Sequence, residues 1–316
     1  MHPDTETIEA ARSTARWGTP HEHADLDAFL ASAKLPDGMH TIWGEIVPID
    51  FLARIKPGRP LILSFHDNTP RNSSVKLPIF TGLGVIRSLD ASYVALSDPS
   101  LYLHPDVKLA WFAGGDGLEL QKLLPAVLDK IVALSGASDV ICLGGSGGGF
   151  AALYYSAGIS GSIAVAWNPH TDIVRYNPTH VAEYGAAAFG LDTYEATAAQ
   201  LGALIDTNLA AVYADGRDNK VLYLQNNSDG YVVTQMRPFL TSLGVDVGPL
   251  PKGAKINGVV AEGLWLLLED WGEGHVAPPA PALNALLAAI VADPARWRGG
   301  WTKPENAFVP SRQSAA

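Results

Sequence analysis

The sequence predicts an α/β fold, a mostly parallel sheet flanked by helices with a short helical cap insertion. Two observations predict it. Short apolar runs recur along the 316 residues, and several are apolar throughout, as strands covered on both faces must be. Between the runs, apolar residues return every three or four positions, the mark of helices with one buried face. Strand alternating with helix gives a parallel sheet with helices on both sides.

In chain order the strands are expected at HTIWGEIVPI (40–49), PLILSF (60–65), SYVALS (92–97), DVICLG (139–144), SIAVAW (162–167), KVLYLQ (220–225) and GLWLLLE (263–269). Leu120, Leu123, Leu124, Val127, Leu128, Ile131 and Leu134 form one helical face, and Leu283, Leu286, Leu287, Ile290 and Val291 form another. Residues 176–216 break the rhythm with alanine-rich helical sequence, expected to form a cap over a site. Residues 1–296 read as a single domain, and the polar, turn-rich stretch 297–316 as a C-terminal tail.

Composition removes several classes of function. With 47% hydrophobic residues the chain can bury a large core. Its net charge is −10 and its 22 Lys and Arg residues form no basic run, so no nucleic-acid partner is expected. No apolar stretch approaches the ~20 residues of a membrane span. The amino terminus lacks a basic segment followed by an apolar one, so the protein reads as cytoplasmic. The one cysteine, Cys142, falls inside an apolar strand and reads as a buried structural thiol.

The informative stretch is VICLGGSGGGFAAL, residues 140–153, where six small residues join a strand to a helix. A phosphate loop would need a lysine after its last glycine, and none is present. A dinucleotide site fits GxGxx[GA] formally, yet the next strand ends in AWNPH and not in a ribose-binding acid. The third reading is a nucleophile elbow, G-x-S-x-G, centred on Ser146. There the serine takes a strained turn, and only tiny neighbours let strand and helix approach closely enough.

A serine nucleophile needs a base and a carboxylate that orients the base. Asp229 follows KVLYLQ, and His275 follows GLWLLLED, so Ser146, Asp229 and His275 are each expected past a strand end on one sheet edge. Asp270 and Glu273 are rival acids, but both lie so near His275 in sequence that the chain would have to double back. The oxyanion hole is expected from the amides of Gly147 and of Asp67, the latter in the loop LILSFHDNTPR. The Asp67 carboxylate would then have to turn away, with Arg71 as a partner in reach. His66 reads as structural or pocket-lining. Trp167, Tyr176, Tyr184, Phe189 and Tyr194 line a pocket or belong to the core, and sequence leaves both open. His21-Glu22-His23 lacks a third ligand at metal-site spacing and reads as an exposed helix cap, so no metal is expected.

Together these residues resemble the α/β-hydrolase superfamily. More narrowly, LSFHDNTPR, ALSDPSL, LAWFAGG, GGSGGGFAALYYS and NPHTDIVRY resemble a branch found near bacterial surface-glycan glycosyltransferases, related to the O-acetyltransferase-like component of accessory secretion systems. The resemblance spans roughly residues 40–290 and implies Ser146, Asp229 and His275 as a triad. Asp67 departs from the glycine usual at its position. The expected activity is hydrolysis of carboxylic esters through an acyl-enzyme, without a cofactor, on a small-molecule ester or an acylated glycan. O-acyl transfer to a glycan hydroxyl and a non-catalytic scaffold in a glycan-assembly or secretion complex are the alternatives.

Overall fold

The computed structural model describes residues 3–71, 75–251, 253–299 and 301. Ten strands form one sheet: β1 (His21–His23), β2 (Gly38–Ile42), β3 (Ile49–Arg54), β4 (Leu61–Phe65), β5 (Ser92–Leu96), β6 (Val140–Gly145), β7 (Ile163–Trp167), β8 (Lys220–Asn226), β9 (Ile256–Ala261) and β10 (Leu264–Glu269). Their order across the sheet is β1-β2-β3-β5-β4-β6-β7-β8-β10-β9. From β5 through β4, β6, β7 and β8 to β10 every pairing is parallel, while β3 and β9 run against their neighbours.

Side-chain alternation explains why both faces are apolar. Leu61, Leu63 and Phe65 pack into one core and Ile62 into the other; Cys142 goes to the first, Ile141 and Leu143 to the second. The helix Leu120–Ser135 buries Leu120, Leu124, Val127, Leu128 and Ile131 against the first face. On the second face, Ala280–Ala292 buries Leu283, Leu287 and Ile290. Cys142 is fully buried, and burial pushes its thiol up to about 12, where a thiolate is out of reach.

Two expectations need correction. HTIWGEIVPI is not one strand but parts of two, β2 and β3, paired antiparallel. Between them Gly44 lies so close to the Val47 carbonyl that a side chain would overlap it, and Pro48 has no N–H to continue a ladder. His21-Glu22-His23 is not a helix cap; it is β1, in parallel register with His40–Ile42 of β2. Edge strand β9 is not legible as an apolar run because Asn257 and Gly258 interrupt its pattern and four of its six residues stay accessible.

Residues 176–216 are helical, at Pro178–Phe189, Tyr194–Gln200 and Leu209–Val212. The start of the expected tail belongs to the helix Pro294–Arg298, and Trp301 is buried against the second core. Residues 302–316 lie outside the described residues.

Candidate functional site

Parallel register brings the strand ends together. Phe65 pairs with Gly144, Gly145 with Trp167, Trp167 with Leu224, and Asn226 with Glu269. The next residues therefore leave the sheet from one edge, where open parallel sheets place their sites.

At the end of β6 the chain turns straight into the helix Ser146–Gly158, and Ser146 sits at φ 51°, a left-handed conformation costly for any side chain. Small residues permit this turn by close approach. A methyl on Gly144 would overlap the Gly148 carbonyl, one on Gly145 the Trp167 indole, and one on Gly149 would come within 2.7 Å of Pro169 Cβ. On Gly148 a methyl would overlap the Phe65 carbonyl oxygen and lie 2.6 Å from that of His66. The glycines are what lets the helix start nest between β4 and β7.

Ser146 Oγ lies 3.0 Å from His275 Nε2, and His275 Nδ1 lies 2.6 Å from Asp229 Oδ2. The Asp229 side chain is 2% exposed and that of His275 37%, so the carboxylate is enclosed and the imidazole is open to solvent. Asp229 also accepts from the Tyr231 amide at 2.9 Å and from Gln225 Nε2 at 3.3 Å. The loop that carries His275 is pinned from both flanks. Asn168 Nδ2 donates to the Val276 carbonyl, Asn226 Nδ2 donates to the Gly272 and Gly274 carbonyls, and the Gly274 amide donates to Ser228 Oγ. Asp270 instead accepts from the Gly272 amide, and Glu273 is exposed.

The loop after β4 is built on His66, which is 4% exposed. Its Nε2 accepts from the Asp98 amide at 2.9 Å, so Nδ1 carries the proton and donates to the Asp67 carbonyl at 2.8 Å. His66 thus fixes the peptide that follows Asp67. The Asp67 amide has no acceptor among the described residues, and neither does the Gly147 amide outside its own helix. Asp67 is solvent-accessible, and desolvation raises its carboxyl above its ordinary value while the neighbouring His66 and His275 oppose the shift. Asp67 forms no ion pair among the described residues; Arg71 Nε donates to the Pro105 carbonyl.

The five candidate aromatics separate. Tyr176 reaches the site, its ring 3.9 Å from that of His170 and 5.3 Å from that of Tyr231. Tyr184 is fully buried behind Trp111 and donates to the Gly114 carbonyl; Phe189 packs on Tyr184. Tyr194 donates to the Val174 carbonyl, and Trp167 packs at the start of the elbow with the second core.

Two side chains at the site were not singled out from sequence. Tyr231 stands edge-on to His275 with ring centroids 5.4 Å apart. His170, three residues past β7, places Nε2 3.1 Å from Ser146 Oγ and receives Trp111 Nε1–H on Nδ1 at 2.9 Å. The signal for His170 was its position, since NPH follows directly on the strand beside the elbow strand. No group of three or more metal-ligating side chains occurs among the described residues, and no helix there is long and apolar enough to cross a membrane.

No protein-family model and no curated protein sequence matches the chain. Solved structures do resemble it. The capsule O-acetyltransferase of Neisseria meningitidis serogroup A aligns at 12% identity with a TM-score of 0.53, over 79% of this chain and 96% of that one. A chain of the glycosylation-associated Gap123 complex from Streptococcus agalactiae aligns at 16% identity and a TM-score of 0.54, over 79% of this chain but 45% of that one. Prolyl oligopeptidase B from Galerina marginata aligns at 13% identity and a TM-score of 0.51, over 83% of this chain and 37% of that one. At these identities the likeness speaks for the backbone alone, and with the sheet order and the strand-to-helix turn it places the chain in the α/β-hydrolase fold.

Proposed function

We propose that the chain is a serine acyl-handling enzyme, a carboxylic ester hydrolase working through an acyl-enzyme. One observation carries the reading: a left-handed serine whose Oγ, 3.0 Å from His275, begins a relay that ends on the enclosed Asp229. Asp229 accepts from Nδ1–H of His275, which leaves Nε2 with a lone pair aimed at the serine proton. As Oγ bonds to the ester carbonyl carbon, that proton passes to Nε2 and the cationic ring rests on Asp229. The carbonyl oxygen becomes an oxyanion facing the amides of Gly147 and Asp67. Collapse breaks the bond to the alcohol, which leaves with the proton from Nε2. Water then gives a proton to Nε2 while its oxygen attacks the acyl carbon, and Oγ departs reprotonated.

Backbone likeness over nearly the full length of a capsule O-acetyltransferase and 79% of this chain favours a second reading, in which a sugar hydroxyl replaces that water. The chemistry up to the acyl-enzyme is the same.

A fluorophosphonate probe tests the reading, because only an activated serine reacts with it. Ser146 is expected to be the modified residue. Ser146→Ala is expected to abolish labelling and to lower turnover of p-nitrophenyl acetate by about 10⁴-fold or more, with the fold intact by circular dichroism. An unreactive wild type would support a scaffold instead, and labelling that survives in the alanine variant would move the nucleophile elsewhere. Adding an alcohol in excess and asking whether ester replaces free acid separates transfer from hydrolysis.

A further inference from the structure

Ser146 Oγ touches two histidines, and the relay uses only one. A hydroxyl has one proton to give and two lone pairs to receive with. His275 takes the proton, because Asp229 occupies its other nitrogen and leaves Nε2 as the acceptor. What His170 does on the same oxygen is decided at its far nitrogen. Trp111 Nε1–H can only donate, so His170 Nδ1, 2.9 Å away, must be unprotonated. A neutral ring then carries its proton on Nε2, the atom 3.1 Å from Oγ.

We propose that His170 is a further catalytic residue, locked by Trp111 as a neutral Nε2–H donor to Ser146 Oγ.

The surroundings keep it so. His170 is fully buried, its backbone amide donates to the Ser146 carbonyl at 3.0 Å, and the rings of Tyr176 and Tyr231 lie 3.9 and 5.5 Å away. Burial, reinforced by the positive charge that His275 and His180 can carry, holds its pKa well below the ordinary histidine value. Among the titratable groups facing the ring, His275, His180, Tyr176 and Tyr231, none is an acid that would favour an imidazolium.

The two histidines therefore have opposite duties. His275 removes and returns the proton. His170 keeps its own and points Nε2–H at the lone pair that does not attack, turning the serine proton toward His275. When the acyl-enzyme breaks down, the bond from the water oxygen to the acyl carbon forms, the bond from that carbon to Oγ breaks, and Oγ takes the electron pair. His275 protonates Oγ, and the donor bond from His170 stabilises the charge that Oγ carries until it does. This role rests on Ser146 being the nucleophile; the tautomer does not.

The tautomer is read by long-range ¹H–¹⁵N correlation on histidine-labelled full-length protein, with the signals assigned from His170→Gln. A protonated Nε2 and a bare Nδ1, unchanged from about pH 5 to 9, are expected. Trp111→Phe is expected to let the proton redistribute between the nitrogens. Kinetically, His170→Leu is expected to lower kcat for p-nitrophenyl acetate by ~10²–10³-fold, the usual loss for one preorganised donor. His170→Gln, whose amide N–H reaches the place of Nε2–H, is expected to recover at least a tenth of wild-type kcat. A proton found on Nδ1, a titrating ring, or folded Leu and Gln variants that are equally impaired would each overturn the proposal. If the wild type neither labels nor turns over, the hydrolase reading fails by itself and the correlation spectrum still decides the tautomer.

Discussion

A single methyl placed at Gly148 tests how the elbow and the loop after β4, the proposed second side of the oxyanion hole, depend on one another. Its Cβ would overlap the Phe65 carbonyl oxygen and stand 2.6 Å from that of His66, where real Cβ atoms keep at least 3.0 Å. Both obstacles are backbone, so no rotamer relieves the clash, and helix or loop must retreat by roughly half an ångström. Overpacking of this kind costs about 1–3 kcal/mol, a small part of the stability of a core fed from both faces of the sheet. Catalysis is more sensitive. The moved segment carries the Asp67 amide on one side and Gly147 on the other, and a misplacement near 1 Å is worth ~10² in rate. We expect Gly148→Ala to lower kcat for p-nitrophenyl acetate by about 30–100-fold while the urea midpoint falls only modestly. A variant as active and as stable as the wild type would refute the argument that this glycine sets the distance between Ser146 and the loop after β4.

Two further outcomes follow from the same chemistry. Asp67→Asn is expected to preserve or modestly raise turnover; because desolvation raises the Asp67 pKa, the gain should be absent in acid, where the carboxyl is already neutral, and appear as pH rises through that pKa. A loss of ~100-fold or more in the folded Asn variant would give the carboxylate a direct role. The second concerns His40, fully buried in β2, stacked on Phe51 and bonded to His23 Nε2 and the Pro36 carbonyl, where burial pushes its pKa down to about 4. The neutral ring belongs to the folded state, so its contribution is complete above the unfolded value of ~6.5 and is lost as pH falls toward about 4, a difference of roughly 3 kcal/mol. In His40→Gln, urea unfolding compared at neutral pH and near pH 4 should lack that increment; curves parallel to the wild type would assign the acid sensitivity to other groups.

What the sequence shows of the fold is what periodicity can carry. Runs such as LILSF and VICLGG are apolar throughout because alternate side chains enter two different cores, and this makes them legible without an alignment. Edge strands are not, because β1 is three residues long and β9 has solvent on one side. At the site, Ser146, Asp229 and His275 could be placed together because each follows a strong central strand and such strands end in register. His170 could not be chosen in the same way. A histidine after a strand has many uses, and its duty is fixed by Trp111, a residue 59 positions earlier in a segment without regular structure. Sequence gives the type of a side chain; which of its nitrogens is occupied is a tertiary fact.

Backbone strain supplies an independent pointer to the same place. Among the described residues, left-handed non-glycine backbone occurs at Trp111, Phe112, Ser146 and Asn168. Each costs on the order of 1 kcal/mol or more and persists only where its surroundings over-determine it. Asp98 holds one pair of them, accepting from the Phe112 amide at 2.7 Å, and the same residue's own amide bonds His66 at the root of the loop after β4. Trp111 spends its indole N–H on His170, Ser146 is the elbow itself, and Asn168 bridges the Asn226 amide to the Val276 carbonyl beside His275. Trp111 and Asn168 set the direction of a group that meets Ser146 Oγ or of the loop that carries one, and Phe112 is tied through Asp98 to His66, so the strain lies where orientation matters and is held by the two cores below it.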